Sequence, residues 1–384
     1  MKATHMTAST TLITRHYGLL GCGMMGQEHL RNLAMIPGAN VSAIFEPDPG
    51  MRAASASCAP HAVQVDSLEA LLRHAPLDAL VITSPNHRHA EQLMQIAATR
   101  PLPVLMEKPA CTNLATVDQL RSLVRAHPAM AIWTAMEYRY MPPISEFVAQ
   151  AHAATETGGT VMLSIREHRY PFLKKVGDWN RFNTHTGGTL VEKCCHFFDL
   201  MRLVMGRDPV RLYASGGINH NHLDERYNSA TPDILDNAYV IVEFGQGQRA
   251  LLEICMFAEG SRYQEEICVI GPKGKVECKV PGPTRFWPEA TLGPAPVAQL
   301  IVSPRQPQGP RLLEIPVDAA LLSAGDHNGS TFYQHQRFYN AITHGAPIEV
   351  SLTDGLKAVV IGLAAEYSAM TGEAVDLTRG PYAL

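Results

Sequence analysis

Three glycines stand close together near the start of the sequence, in the stretch GLLGCGMMGQEHL. Gly21, Gly23 and Gly26 follow an apolar run and open a segment of helix formers. At such a junction, free backbone N–H groups and the positive end of the helix dipole can bind a pyrophosphate. The spacing predicts a dinucleotide-binding turn, with Met24 and Met25 packing beside the cofactor; a turn that binds no nucleotide is the alternative.

A carboxylate follows at the distance that this kind of turn requires. Glu46 stands twenty residues after Gly26 and ends the next β-rich run, VSAIF. At the end of a second parallel strand, it would accept both ribose hydroxyls of an adenosine and would repel a 2′-phosphate. We therefore expect the cofactor to be NAD rather than NADP.

Two more polar clusters follow buried apolar runs. The stretch PVLMEKPACTN places Glu107 and Lys108 after one run, and VITSPNHRHAEQL places Pro85, Asn86 and His89 after another. Ligands bind at the carboxyl edge of a parallel sheet, where such residues meet. A lysine there must be solvated, paired with Glu107 or used in the chemistry. His89 would either line the ligand site or only cap or pack against its helix.

A fourth cluster lies in the stretch TGGTLVEKCCHFFDLM. Glu192, His196 and Asp199 are spaced i, i+4 and i+7, which puts them on one face of a helix. A polar stripe on an apolar helix is costly unless it faces a cavity or is hydrogen-bonded. His196 is thus a candidate base, or else a hydrogen-bonded core histidine. Lys193 lies off the stripe, as a solvated side chain, an interface contact or a substrate contact.

The elements that must position these residues form two series, which together predict an α/β protein. From Tyr17 to about Met136, short β-rich runs alternate with helix-length segments, as in a doubly wound parallel Rossmann sheet. From Met141, a helix and then longer strands with hairpin-like turns predict an α+β domain with a large, mainly antiparallel open sheet. One long helical stretch over 185–206 interrupts that series. The predicted division is a flexible extension (1–14), an NAD-binding domain (15–140) and a substrate-binding and oligomerisation domain (141–384).

Composition excludes several classes of partner. With 32 Lys and Arg against 36 Asp and Glu, the net charge of −4 gives no reason to expect nucleic acid or an anionic membrane. The eight cysteines lack the spacing of a disulfide scaffold, which favours a reducing cytoplasm. No metal is expected, because no second Cys or His cluster accompanies Cys194 and Cys195. No apolar run is long enough for a signal peptide or a membrane span.

Taken in order, these motifs resemble the Gfo/Idh/MocA family of NAD(P)-dependent sugar and cyclitol oxidoreductases. The resemblance rests on GLLGCGMMGQEHLRNL, SPNHRH, EKPACTN, YRYMPP, GDWNRFNTHTGGTLVEKCCHFFDLM, HQRFYNAITHG and SLTDGLKAVVIGLAAEYS. It implies that Lys108 touches the reacting hydroxyl and that Glu192 and His196 form the substrate-binding and catalytic pair. The family has Asp where this chain has Glu192, so the substrate hydroxyl that this carboxylate contacts stays open.

The resemblance also extends the set of cofactor contacts. Arg139 stands in YRYMPP, which matches an Arg-Phe-x-Pro segment of the family. The expected cofactor-binding residues are Gly21, Gly23, Met24, Met25, Gly26, Glu46, Ser84, Pro85, Asn86, His89, Glu107, Lys108 and Arg139.

Oxidation of a secondary alcohol requires a base for the hydroxyl proton while hydride leaves for nicotinamide C4. We expect His196 to be that base and Lys108 to stabilise the developing alkoxide, with the division of proton transfer between them left open. The segment EHRYPFLKKVGDWNRF would supply further hydrogen bonds to a polyol. The expected substrate-binding residues are Lys108, Arg166, His168, Tyr170, Trp179, Asn180, Glu192 and His196.

The expected function is NAD-dependent oxidation of one ring hydroxyl of a cyclitol, sugar or glycoside in the cytoplasm. One alternative is 3-oxidation of a glycoside, or reduction of a 3-keto sugar, with recycled bound NAD; another is a sensing protein on the same scaffold. The polar stretch 219–237 would close over a sugar, contact another subunit or bind a metal. Apolar positions on both faces of the second sheet predict a homo-oligomer, a dimer or tetramer.

Overall fold

The computed structural model describes residues 12–306 and 309–384, so residues 1–11 of the predicted N-terminal extension lie outside it. Within these ranges, two sheets organise the chain: a six-stranded parallel sheet and a nine-stranded, mostly antiparallel sheet. Both were predicted from the sequence. None of the helices in the described ranges is long and apolar enough to cross a membrane.

The first sheet has the strand order β3-β2-β1-β4-β5-β6, and all its pairs are parallel. Its strands are β1 (Arg15–Leu20), β2 (Ala39–Phe45), β3 (Val63–Val65), β4 (Ala79–Ile82), β5 (Val104–Met106) and β6 (Ile132–Thr134). The connecting helices are α1 (Met24–Leu33), α2 (Pro49–Cys58), α3 (Leu68–Arg73), α4 (His89–Thr99) and α5 (Leu114–Ala126). The central strands β4 and β5 are short and fully buried, as parallel strands covered on both faces should be.

The order of the first sheet reverses between β1 and β4. The two strands pair directly, with Leu20 opposite Ile82 at their carboxyl ends. The loops that leave such neighbouring strands diverge, and the crevice between them is the usual ligand site of this architecture. Both the glycine turn after β1 and the Ser84–Pro85–Asn86 loop after β4 therefore open onto this crevice.

The second sheet has the order β14-β13-β12-β11-β7-β10-β9-β8-β15. Its strands are β7 (Met162–His168), β8 (Pro209–Gly217), β9 (Asn237–Phe244), β10 (Arg249–Cys255), β11 (Glu265–Gly271), β12 (Gly274–Val280), β13 (Ala298–Pro304), β14 (Arg311–Ile315) and β15 (Val375–Asp376). β7 and β10 pair in parallel, whereas the other neighbours pair antiparallel.

The helices of the second half are α6 (Pro142–Ala153), α7 (Asn183–Thr186), α8 (Thr189–Glu192), α9 (Cys195–Met205), α10 (Glu289–Leu292), α11 (Ala319–Ala324), α12 (Ser330–His344) and α13 (Leu352–Thr371). Short 3₁₀ turns cover Asn86–Arg88, Glu137–Tyr140, Val176–Arg181, Gly245–Gly247, Thr284–Phe286 and Gly380–Tyr382. Helix α13 begins with a reciprocal capping box between Ser351 and Asp354. Helix α12 packs on α1 of the first half, which joins the two halves.

The predicted single helical stretch over 185–206 is wrong. Three helices, α7, α8 and α9, occupy it, because Gly187 and Gly188 adopt φ values of 81° and 95° that end one helix and begin the next. A Cβ at Gly188 would lie 2.2 Å from Glu366 Oε1, so the chain passes close to α13 there. Between α8 and α9 the backbone stays near helical values, which keeps Glu192 and His196 on adjoining turns.

Candidate cofactor and substrate site

A cleft of about 640 Å³ opens at the reversal point of the first sheet. Its walls contain most of the residues predicted to hold a cofactor. Those are Gly21, Gly23, Met24, Met25, Glu46, Ser84, Pro85, Asn86, His89, Glu107 and Lys108. The cleft therefore combines three separate sequence motifs at one sheet edge.

The glycines of the turn have different roles. Gly21 has a φ of 82°, and a Cβ there would lie 2.7 Å from the Cα of Ser84. A Cβ on Gly26 would lie 2.6 Å from the carbonyl oxygen of Gly21, so Gly26 lets helix and turn pack and does not itself line the cleft. A Cβ on Gly23 would meet no neighbouring atom of the described residues within 4 Å, which leaves open space for a phosphate against the backbone.

Glu46 is fixed by backbone donors at the end of β2. Its side chain is buried, with Oε1 accepting a hydrogen bond from the Asp48 N–H at 2.8 Å and Oε2 accepting one from the Cys22 N–H. A carboxylate held in this way still has lone pairs that can accept ribose hydroxyls. On the opposite loop, Asn86 Nδ2 is buried without a partner among the described residues, so it is a donor available to a bound group.

The loops after β4 and β5 are tied together by His89. Its buried ring places Nδ1 2.8 Å from the carbonyl oxygen of Pro109 and Nε2 2.8 Å from that of Ser84. Glu107 is held from the other side, because its Oε1 lies 2.9 Å from His29 Nε2. The side chains of His89 and Glu107 thus have fixed partners.

Lys108 joins the cofactor cleft to the predicted substrate helix. Its ammonium group donates a hydrogen bond of 2.8 Å to the carbonyl oxygen of Glu192. The alternative of an ion pair with Glu107 is wrong: only the backbone N–H of Lys108 donates to that carboxylate, at 3.2 Å. One lysine therefore faces the cleft and contacts the last residue of α8.

His196 lies buried at the start of α9. Its ring stacks on Tyr138 with centroids 4.3 Å apart and planes 11° from parallel, and Nδ1 has no partner among the described residues. Burial lowers the pKa of His196 well below its usual value, and the positive charges of Lys108 and Lys193 lower it further. The imidazole is therefore neutral at neutral pH and able to accept a proton.

Lys193 is neither the solvated side chain nor the interface contact expected from its position off the stripe. Its ammonium group is buried and lies 2.9 Å from Glu167 Oε1, and it also bonds the hydroxyl of Tyr138. Burial lowers the pKa of Lys193, with the neighbouring Arg169 acting in the same direction and Glu167 opposing them. This buried ion pair flanks His196.

Asp199 and Arg139 form a second buried pair. The guanidinium group of Arg139 binds both carboxylate oxygens of Asp199, next to α9. Arg139 was predicted as a cofactor contact, but it does not line the cleft. In this arrangement its charge is neutralised by Asp199, and the pair fixes the helix that carries His196.

Two predicted substrate residues lie on the wrong face of the second sheet. Successive side chains of β7 alternate, and Leu163, Ile165 and Glu167 are the buried ones. Arg166 and His168 therefore point to the outer face, where they pair with Glu266 and Glu253 of neighbouring strands. Neither residue belongs to the substrate site, contrary to the prediction.

The other residues of the predicted substrate segment divide between the cleft and the loop interior. Trp179 lines the cleft, whereas Tyr170 packs against Phe286 with ring centroids 4.5 Å apart. Asn180 is buried, and its Nδ2 donates to the carbonyl oxygen of Leu173 at 3.0 Å. Asn180 thus stabilises the loop, and Tyr170 lies outside the cleft.

The polar stretch 219–237 is folded on itself. Backbone N–H groups of residues 219–221 donate to the carboxylate of Asp236. Arg181 joins this stretch to the segment before α7 through an ion pair of 2.8 Å with Glu225. Its described residues contain no group with metal-ligand geometry. Elsewhere in the described ranges that geometry occurs at Glu28, Glu137 and His327, where His327 pairs with both carboxylates.

Several residues beside the site were missed from the sequence. Strand alternation from Leu163 and Ile165 would have found Glu167 on the inner face. Lys174 and Lys175 stand inside the segment that was singled out, and both line the cleft. Nothing in the sequence indicated that Tyr138 would stack on His196, because that contact depends on the packing of α9 against a remote turn.

A glycine turn with space for a phosphate, a fixed acid after the second strand and a lysine shared with the histidine helix define an NAD(P)-binding oxidoreductase of the Rossmann class. The chain belongs to the Gfo/Idh/MocA oxidoreductase family. The family's NAD-binding Rossmann fold model matches residues 15–134, and its C-terminal alpha/beta domain model matches residues 158–377.

Individual relatives are distant. An inositol 2-dehydrogenase from Leifsonia xyli subsp. xyli is 30% identical over 203 residues, which are 51% of this chain and 55% of that protein. A myo-inositol 2-dehydrogenase from Thermotoga maritima is 24% identical over 362 residues, 94% of this chain and 98% of that protein. The structure of a levoglucosan dehydrogenase with NADH has a TM-score of 0.77 at 17% identity, covering 94% of this chain and 99% of that one. This last likeness is one of fold.

Proposed function

We propose that this protein is an NAD-dependent dehydrogenase that oxidises a secondary ring hydroxyl of a cyclitol, sugar or glycoside. The observation that carries the proposal is the position of Lys108, which faces the cofactor cleft while its ammonium group contacts Glu192 beside His196. A substrate hydroxyl near this lysine would lie between the cleft and the histidine helix. The distant relatives named as inositol dehydrogenases support a polyol substrate.

His196, Lys108 and Glu192 have different roles in the proposed reaction. His196 is neutral because burial and two nearby ammonium groups disfavour its charged form, so it can take the hydroxyl proton. An ammonium group has three donors, and Lys108 uses one on Glu192, which leaves others to stabilise the developing alkoxide. NAD, when bound, accepts the hydride from the same carbon. The buried Glu192 Oε2, unpartnered among the described residues, is an acceptor for a second substrate hydroxyl.

The preference for NAD over NADP is proposed from Glu46. Its carboxylate is fixed by the N–H groups of Cys22 and Asp48 at the end of β2, where a 2′-phosphate would meet a like charge. Glu46→Ala should therefore narrow the preference for NAD by about tenfold, measured as the ratio of kcat/KM with the two cofactors. An unchanged ratio would mean that this acid does not select the cofactor.

A panel of inositols, sugars and glycosides, followed by NADH absorbance, tests the reaction. Lys108→Ala and His196→Ala should each lower kcat by at least about a hundredfold while NADH affinity is retained. The acidic limb of kcat/KM should lie below pH 6.5, since the pKa of His196 is lowered. Either variant retaining near-normal turnover would contradict its role. If NADH stayed bound to the protein and no free NADH accumulated, the result would instead favour the alternative reaction, in which bound NAD is recycled.

We also propose that the chain forms a homo-oligomer through the outer face of its second sheet. Large apolar side chains on that face are exposed, including Tyr239 (56%), Ile241 (47%) and Leu312 (55%). Patches of this kind mark interfaces in soluble proteins. Light scattering should give a dimer or tetramer; a monomer at micromolar concentration would contradict the proposal.

A further inference from the structure

The cofactor cleft has a second wall that comes from one short segment. All cleft-lining residues except four lie between Gly21 and Lys108. The four are Lys174, Lys175, Val176 and Trp179, and we call residues 174–179 the strap. The second half of the chain therefore faces the cleft through the strap and through no other segment in the described ranges.

The strap is fixed across the cleft by aromatic contacts. The ring of Trp179 lies with its centroid 6.1 Å from that of His87, in a tilted edge arrangement. The ring of His185, in α7, has its centroid 4.7 Å from that of His87. Burial and the neighbouring His185 lower the pKa of His87 to about 4, so the His87 ring packs in its neutral form. His87 belongs to the loop after β4, so the strap contacts the opposite wall directly.

The backbone of the strap turns sharply beside the cleft. Gly177 has a φ of 70° and Asp178 a φ of 51°, so two successive residues occupy the left-handed region. Only glycine and, less readily, Asp or Asn adopt this conformation without a large penalty. The packing around the strap therefore maintains the turn between the two lysines and Trp179.

The two lysines of the strap differ in their partners. Lys175 pairs with Glu192 Oε1 at 3.1 Å, and its ammonium group also lies 4.4 Å from the centroid of the Trp179 ring. Lys174 lines the cleft and has neither an ion pair nor a side-chain hydrogen bond among the residues of the described ranges. One positive charge is thus neutralised by the substrate helix, whereas its neighbour remains available at the cleft.

We propose that Lys174 binds the pyrophosphate of the dinucleotide from the second domain, and that Lys175 is a positioning residue for Glu192. The inference rests on the proposed NAD site. The glycine turn supplies backbone N–H groups and no side-chain cation, so an anion bound there has an unmatched charge that an ammonium group would complement. Because the two lysines are adjacent, the strap joins the phosphate site to the carboxylate next to His196.

Calorimetric titration without substrate tests the role of Lys174. Lys174→Gln should weaken the binding of NADH and of ADP-ribose by about five- to tenfold and should reduce the salt dependence of both affinities. Adenosine, which lacks phosphate, should bind both proteins equally. Lys273→Gln is the matched control, because Lys273 is exposed on the β11–β12 turn, away from the cleft, and has no ion pair in the described ranges.

Two outcomes would overturn this role of Lys174. Wild-type affinity of Lys174→Gln for NADH and ADP-ribose would exclude a phosphate contact, and an increase confined to the KM of the substrate would assign the lysine to a substrate anion. Binding is measured without turnover, so wild-type protein that binds NADH but oxidises no polyol would contradict the proposed reaction only. Wild-type protein that binds no dinucleotide would overturn both proposals.

The role of Lys175 is tested by a conservative rescue. Lys175→Met should lower kcat/KM for the polyol by about tenfold and leave NADH affinity within about twofold, because it frees Glu192 without touching the phosphate site. Lys175→Arg should restore most of the loss. Equal losses in both variants, or a loss of NADH affinity in Lys175→Met, would contradict a positioning role.

Discussion

The cleft wall from the first domain and the surroundings of the histidine helix hold their polar groups by different means. The wall from the first domain uses backbone: the turn at Gly23 offers N–H groups, and Glu46 is itself held by backbone donors. The surroundings of the histidine helix use buried side-chain pairs, of which Lys193–Glu167 and Arg139–Asp199 flank His196. Backbone donors cannot be changed by substitution, whereas each pair depends on individual side chains. The first wall suits one constant ligand, and the surroundings of the histidine helix can be adapted to different substrates.

Breaking a pair beside the histidine helix should have the largest effect. Lys193→Met removes the nearer of two cations from the buried Glu167, while Arg169 stays 3.7 Å from its Oε1. The free energy of unfolding should therefore fall by about 3 kcal/mol, the low end for a broken buried pair. The double variant Lys193→Met/Glu167→Gln removes both charges of the pair and should recover part of that loss. Chemical denaturation of the single and double variants measures this difference, and equal stability of the two would show that the pair is not coupled.

In the first wall, a side chain at Gly23 should abolish binding with little change in stability. Gly23→Val fills space in which the described part of the chain has no neighbouring atom within 4 Å of the Cβ, so NADH affinity should fall by at least about a hundredfold while the protein stays folded. Gly26→Ala is the matched control, since its Cβ would meet the carbonyl oxygen of Gly21 and should lower the melting temperature instead. Normal NADH binding by Gly23→Val would contradict the position of the phosphate site.

The contact between the two halves should weaken at high pH. His327 precedes α12 and contacts Glu28 of α1 and Glu137. Burial opposes its charge, but these carboxylates raise the pKa of His327 to about 9 in the folded protein, with the nearby Lys193 opposing them. Because this pKa is raised, the stabilisation is complete below about pH 6.5 and is lost as pH rises through 9.

The measurement is the free energy of unfolding at pH 6.5 and pH 9. It should fall by roughly 2–3 kcal/mol over that window in wild-type protein. In His327→Gln the fall should be much smaller. A wild-type stability that does not change between these pH values would mean that the contact does not depend on a charged His327.

The smallest effect should come from the outer face of the second sheet. Arg166 and His168 pair there with neighbouring strands, so Arg166→Ala and His168→Ala should change kcat/KM by less than about twofold. Glu167→Gln, between them in sequence but on the inner face, should lower it by more. If the outer-face variants had the larger effect, the assignment of the two faces would be wrong.

The first wall could be predicted from the sequence almost completely. Its residues follow directly after short buried strands, and the carboxyl ends of parallel strands meet at one edge, so local motifs were sufficient to bring Gly23, Glu46, Asn86 and Lys108 together. The break at Gly187 and Gly188 was missed, although a Gly-Gly pair is itself a turn signal and the preceding residues Asn183–Thr186 are weak helix formers.

The surroundings of the histidine helix were harder to predict for a physical reason. Which residues of β7 face inward depends on the parity of a single strand, and an error of one residue exchanges Glu167 for Arg166 and His168. The burial of Lys193 depends on a partner carried by a different strand, which no local pattern reports. Residues that act through long-range pairs therefore require the folded structure.

The central claim is that Lys108 and His196 act in one hydride-transfer site. Single-turnover formation of NADH, measured with enzyme in excess over a polyol that the wild type oxidises, tests it most directly. Lys108→Met and His196→Asn should bind NADH with wild-type affinity and form NADH at least about a hundredfold more slowly. A wild-type rate in either variant, with NADH binding intact, would contradict the claim.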